Sequence, residues 1–150
     1  MIDINNESGE PVDEPGLVRL AAFVLSALRI HPQADLSVLL VDEPTMTSYN
    51  ETFLEHTGPT DVLSFPMDEL RVPADDDLPP RGLLGDVVLC PAFAARQAVV
   101  NGRKTRAEIE YLLVHGMLHL LGYDHATPSE KAVMFALGDR LIADWNAQRR

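Results

Sequence analysis

Apolar positions fall along the chain in two rhythms. At helical spacing they form a stripe over residues 13–29, with Leu17, Leu20, Ala21, Val24, Leu25 and Leu28, and another after residue 127, with Val133, Met134, Leu137, Leu141, Ile142 and Trp145. Unbroken apolar runs bounded by turn residues read as strands instead. "DLSVLLVD" (35–42) lies between Pro32 and Pro44, "DVLSFPM" (61–67) follows the turn "TGP", and "GDVVLC" spans 85–90. "IDIN" (2–5) is short enough for an edge strand. Residues 45–54 predict a short helix opened by Thr45. Pro91 opens a helix that ends near Asn101-Gly102, and a longer one runs from about Thr105 to Leu121. "TPSE" (127–130) starts the last helix: Thr127 caps, Pro128 fits the first turn and Glu130 completes a capping box.

Residues 68–82, "DELRVPADDDLPPRG", have no period and predict an exposed, mobile loop. Its aspartates at 75–77 read as solvated loop charges rather than a cation site. About four strands in mixed order with four or five helices predict an α+β domain whose helices pack mainly on one face of the sheet. At 150 residues the chain is expected to be one domain, 1–150. Such a length buries roughly two-thirds of the unfolded surface, so folding needs no metal or disulfide.

Composition excludes some functions. The net charge of −11 argues against coating nucleic acid by bulk electrostatics, because phosphate contacts need Lys and Arg. Cys90 is the single cysteine, so no internal disulfide forms. The acidic start "MIDINNESGE" lacks a signal-peptide pattern, and the longest apolar run, "LAAFVLSAL" (20–28), is too short to span a bilayer. These features predict a soluble, cytoplasmic protein with no membrane partner.

The candidate chemistry lies in "HGMLHLLGYDH" (115–125). His115 and His119 stand at i and i+4 on one helix face, so both imidazoles can point at one ion. Gly122 ends the helix, and the chain turns back to deliver His125. A histidine on an apolar helix face is commonly just a core residue. Three of the chain's five histidines at this spacing point instead to a metal held by His115, His119 and His125. The spacing is that of the metzincin zinc site, H-x-x-x-H-x-x-G-x-x-H. Three imidazoles leave a fourth tetrahedral position open, the catalytic arrangement for zinc, although Ni2+ or another divalent ion also accepts this set. Metalloproteases carry a general-base Glu directly after the first His, and here that residue is Gly116. A carboxylate at 116 is expected to lie beside the metal. The glycine either leaves space there or allows close packing against a neighbouring element. Asp124 either orients an imidazole or serves the turn.

These residues resemble the YbeY family, bacterial endoribonucleases of ribosomal RNA maturation, whose signature H-G-x-L-H-L-x-G-Y-D-H is matched at every fixed position. "PTDVLSFP" (59–66) resembles the family's second motif and "LGDVVLC" (84–90) its L-G-D-I-x-I-S strand, in the family's order and spacing. The resemblance implies a zinc-dependent, single-strand-specific endoribonuclease acting in small-subunit rRNA 3′-end maturation and ribosome quality control. It also implies that His115, His119 and His125 are the zinc ligands, and that the partners are RNA and ribosomal or ribosome-associated proteins. One departure stands out. Where the family has an aromatic, an Arg thought to serve the active site and a Lys, this chain has Phe53, Leu54 and His56.

His115 is the one candidate for a combined ligand and catalytic role. Asp61, Ser64 and Asp86 lie in or beside the strands and read as structural. The dense cationic run "GRKTR" makes Arg103, Lys104 and Arg106, joined by Arg96, the candidate RNA-binding group, with helix-start surface charges as the bland alternative. Arg71 and Arg81 flank the loop, from which they can swing inward or remain solvated. Two other functions compete: a different metallohydrolase, disfavoured by Gly116, and a non-catalytic ribosome assembly factor braced by zinc.

Overall fold

The structure is a computed structural model that describes residues 1–54, 58 and 60–149. Nine elements follow in chain order: β1 (Ile2–Asn6), α1 (Glu14–Ala27), β2 (Asp35–Leu40), α2 (Glu43–Phe53), β3 (Val62–Pro66), β4 (Leu83–Leu89), α3 (Pro91–Asn101), α4 (Thr105–Leu120) and α5 (Pro128–Gln148). The strands form one mixed sheet in the order β1-β2-β4-β3. β1 and β2 pair in parallel, as do β2 and β4, and β3 runs antiparallel to β4 at the far edge. This is the expected α+β architecture, with β1 as the expected edge strand.

The main core lies between one sheet face and helices α1, α4 and α5. Leu20, Val24, Leu36, Val38, Leu84, Val87, Leu113, Met117 and Leu141 are among its buried residues. A smaller cluster on α2 and the strands joins Val41, Met46, Leu63, Val88 and Cys90. Helix α4 is buried along nearly its whole length because it packs on β3, β4, α1, α3 and α5. A helix enclosed in this way loses the polar stripe of a surface helix, so histidines carried on it are held at a fixed place in the fold.

Local signals set most boundaries. Thr127 caps α5, its hydroxyl accepting from the Glu130 amide at 3.2 Å and donating to the Glu130 carboxylate at 2.9 Å. Gly102 closes α3 in the left-handed conformation. Helix α2 begins earlier than the expected Thr45. Asp42 is its cap, accepting from the Thr45 amide, so Thr45 is the recipient of the cap rather than its source. The 68–82 segment has no strand or helix, as expected, yet it is tied down. Arg29 donates to the carbonyls of Ala74 and Asp77, and the Leu83 amide donates to Asp68.

Candidate metal centre

Residues Tyr111, His115 and His119 succeed one another by four along α4, on one face, at the side where the helix meets α5 and the start of β3. Beyond Leu120 the chain makes a tight turn: the Gly122 amide donates to the His119 carbonyl, and the Tyr123 amide to that of Leu118. Gly122 has φ +95°, the left-handed region in which glycine carries no steric penalty. The Asp124 carboxylate accepts from the His125 amide at 2.7 Å, so Asp124 serves the turn.

The turn returns His125 to the helix. One ligand nitrogen from each of His115, His119 and His125 lies within 4.8 Å of the others. The ring centroids are 4.8 Å apart for His115–His119, 5.0 Å for His119–His125 and 5.7 Å for His115–His125. An ion bonded at about 2.1 Å to two imidazoles keeps their nitrogens within about 4.2 Å. The cluster therefore closes on an ion through small side-chain rotations. Burial, reinforced by the neighbouring His119 and His125, pushes the His115 imidazole down to about 4 from an ordinary 6.5, against an opposing pull from Asp61. Burial, followed by the nearby His125, also lowers His119. Neutral imidazoles are the form that binds metal, so the fold favours the ligand state of both residues.

His115 and His125 open into a cleft of about 530 Å³, lined also by Asp61, Gln97, Asn101 and Tyr111 and, from α5, by Lys131 and Phe135. Tyr111 stacks on His115, with centroids 6.2 Å apart and planes at 28°. Phe135 stands edge-on to His115 at 5.6 Å and to His125 at 6.5 Å. Sequence reasoning missed Tyr111, Lys131 and Phe135. Tyr111 was reachable, because it lies one turn before His115. Lys131 and Phe135 come from α5, whose contact with the site no local spacing announces. Asp61 has both characters: it accepts from its neighbour Val62's amide at 2.8 Å and also lines the cleft. Ser64 is structural, donating to the Gly116 carbonyl at 2.9 Å. Asp86 lies instead in a groove with Asp3 and Asp35.

One expectation about the histidine site changes. Gly116 faces the sheet: a Cβ there would meet Val87 Cγ1 at 2.8 Å, Val62 Cγ2 at 3.1 Å and Ser64 Oγ at 3.2 Å. A carboxylate at 116 would run into β3 and β4, and close packing is the reason for the glycine. The four candidate RNA-binding cations do not gather at the histidines. Arg96 pairs with Glu43. Arg103 pairs with the buried Glu108 at 3.2 Å and lies over the Tyr111 ring. Arg106 pairs with Asp13 at 3.2 Å and with Glu110 at 3.8 Å. Lys104 is exposed at the start of α4, and at 1.5 Å per residue that end lies about 16 Å from His115. Leu54 is exposed at the end of α2, and His56 lies outside the described residues. Arg71 packs over Gly122, so the site's turn carries a guanidinium contact that the sequence left open.

Fold and site together define an α+β domain with a three-histidine candidate metal centre in an open cleft. The family model described as Endoribonuclease YbeY matches residues 3–146. An "Endoribonuclease YbeY" from Cutibacterium acnes is 63% identical, with 99% of this chain and 96% of the relative covered. Another from Nocardioides sp. is 55% identical, covering 98% and 99%. The solution structure of TM1509 from Thermotoga maritima shares the fold, with a TM-score of 0.64 at 24% identity over 99% of this chain and 93% of that one. The chain belongs to the YbeY endoribonuclease family. Among the described residues no helix is long and apolar enough to cross a membrane.

Proposed function

We propose that this chain is a zinc-dependent, single-strand-specific endoribonuclease of small-subunit ribosomal RNA 3′-end maturation and ribosome quality control, forming one domain that works in the cytoplasm with ribosomal or ribosome-associated proteins. The observation that carries this reading is the convergence of His115, His119 and His125 at the head of a solvent-open cleft, within a member of this family. A protein group that closes the cluster with a fourth ligand would mark a structural zinc. Among the described residues the ligating group has three members, which favours catalysis over a zinc that only braces the fold. The buried, sheet-facing Gly116 leaves the metalloprotease base position without a carboxylate, which weighs against a peptidase.

His115, His119 and His125 would hold the ion, and neutral imidazoles suit zinc first and Ni2+ second. When bound, the ion supplies Lewis-acid chemistry: it activates water and polarises a phosphoryl oxygen. The protein's part is positional. Helix α4 fixes two imidazoles, and the turn at Gly122 fixes the third. Tyr111 and Phe135 pack against the rings and limit their rotation. Asp61 places a carboxylate in the cleft beside His115, suitably sited to take a proton from water or to orient it. Arg96, Arg103, Lys104 and Arg106 contribute at a distance, as an outer field in which the three arginines are tempered by carboxylate partners.

The test is cleavage of single-stranded and duplex RNA by the natural chain and by His115→Ala, with metal measured in both. The expected outcome is one divalent ion per chain, cleavage of the single strand, and loss of both metal and cleavage in the variant. A folded, metal-loaded natural chain that cleaves no RNA would overturn the reading.

A further inference from the structure

Of the charged residues around the cleft, one cation lines it directly. Lys131 lies on the first turns of α5, and its ammonium sits 5.3 Å from the centroid of the Phe135 ring, one helical turn on. Phe135 in turn stands against His115 and His125. The ammonium is thus tied by a cation–π contact to the aromatic ring that also supports the candidate metal ligands. Among the described residues no carboxylate pairs with Lys131, whereas Arg96, Arg103, Arg106 and Arg149 each have an acidic partner. The Thr127 cap fixes the start of α5, and hence the direction from which Lys131 enters the cleft.

We propose that Lys131 is a substrate-binding residue of this cleft: its ammonium takes a backbone phosphate of single-stranded RNA beside the histidine cluster. This inference rests on the endoribonuclease reading. A lysine is a point charge with three donors and needs no fixed fork geometry to hold a phosphate. The rest of the lining carries Gln97, Asn101, Asp61 and Tyr111, and the cation over the Tyr111 ring, Arg103, is already paired with Glu108. A polyanion entering the cleft therefore finds its compensating charge on the α5 side. That orients the strand across the histidines, with one flanking phosphate anchored on Lys131.

The experiment compares the natural chain with Lys131→Gln and Lys131→Arg. Binding of a fluorescent single-stranded oligoribonucleotide is measured by anisotropy on chelator-treated protein, so that cleavage cannot interfere. KM and kcat are then measured on metal-loaded protein. One phosphate contact on a single strand contributes a salt slope of about −0.7, equivalent to about fivefold in affinity at about 0.1 M salt. The expected result for Lys131→Gln is binding about fivefold weaker, a slope shallower by about 0.7, a raised KM and an unchanged metal content. Lys131→Arg should restore most of the binding. Unchanged affinity and unchanged slope in Lys131→Gln would overturn the inference and leave the nuclease reading intact. Lys131-dependent binding without cleavage by the metal-loaded natural chain would overturn the nuclease reading and leave the phosphate contact standing. A natural chain that binds no RNA would overturn both.

Discussion

Replacing Gly116 tests how α4 is seated. Its α-carbon faces two β-branched residues, Val62 and Val87, and the Ser64 hydroxyl that donates to its own carbonyl. A methyl group at the ideal position would come within 2.8 Å of Val87 Cγ1. Valine side chains are stiff about χ1, and both belong to strands of the sheet, so relief requires α4 to lift. Overpacking of this kind costs about 1–3 kcal/mol. Exchanging glycine for alanine inside a helix returns about 1 kcal/mol. Gly116→Ala is therefore expected to lose about 0–2 kcal/mol. Gly116→Glu and Gly116→Gln add a polar group with no open space to reach, a penalty of several kcal/mol against a typical total stability of about 5–15 kcal/mol. Urea unfolding of the three variants, with metal content measured in each, checks the order. The comparison of Glu with Gln is decisive. If position 116 looked onto the ion, the neutral Gln variant would stay stable and active while Glu failed through charge. If it looks onto the sheet, both fail to fold well. A Gly116→Gln protein of natural stability would refute the packing argument.

Two further outcomes follow from the same site. The metal-free protein should lose stability as pH falls from about 6.5 towards 4. Both His115 and His119 sit below their ordinary values, so the unfolded chain binds more protons throughout that window, and the contribution is fully present only above it. His115 alone would account for about 3 kcal/mol if fully buried, and its partial exposure reduces this to the order of 1–2 kcal/mol; urea midpoints at stepped pH, flat across this range, would contradict it. Gly122→Ala should destabilise by about 1–3 kcal/mol, because φ +95° strains any side chain and Arg71 must leave its place over the turn. It should weaken zinc binding as well, since His125 lies just beyond the turn, and a competition titration with a chromophoric chelator reads that loss.

The candidate site was legible in the sequence wherever its residues share one stretch of chain. His115, His119, Gly122 and His125 could be placed from helical spacing and a glycine stop, because a helix and a tight turn have fixed geometry. Most strand and helix boundaries were legible to within two residues: α2 begins earlier because Asp42 rather than Thr45 caps it, β2 stops at Leu40 and β4 reaches back to Leu83. What the sequence left open depends on contacts between distant segments. Gly116 has the same spacing whether it faces an ion or the sheet, and only the seating of α4 on β3 and β4 decides. The run "GRKTR" looks cationic because its partners Glu108, Glu110 and Asp13 belong to other turns or other helices. Buried carboxylates need such partners, so arginines that read as a patch are engaged inside the fold.

That engagement bears on how an acidic protein handles RNA. If the arginines at the start of α4 were free, several phosphates would be neutralised together and affinity would fall steeply with salt. Glu108 is buried, at 2% exposure, and cannot release Arg103 without leaving a desolvated charge unpaired, and Arg106 is held between Asp13 and Glu110. On the proposed reading the strand is then held by few contacts, Lys131 among them. A contact set this small gives a shallow salt slope, on the order of −1, and weak binding to RNA free in solution. Cleavage then selects for strands already presented to the cleft, because local concentration supplies what the surface charge does not. That behaviour suits the proposed action on a ribosomal particle, where other RNA must be spared.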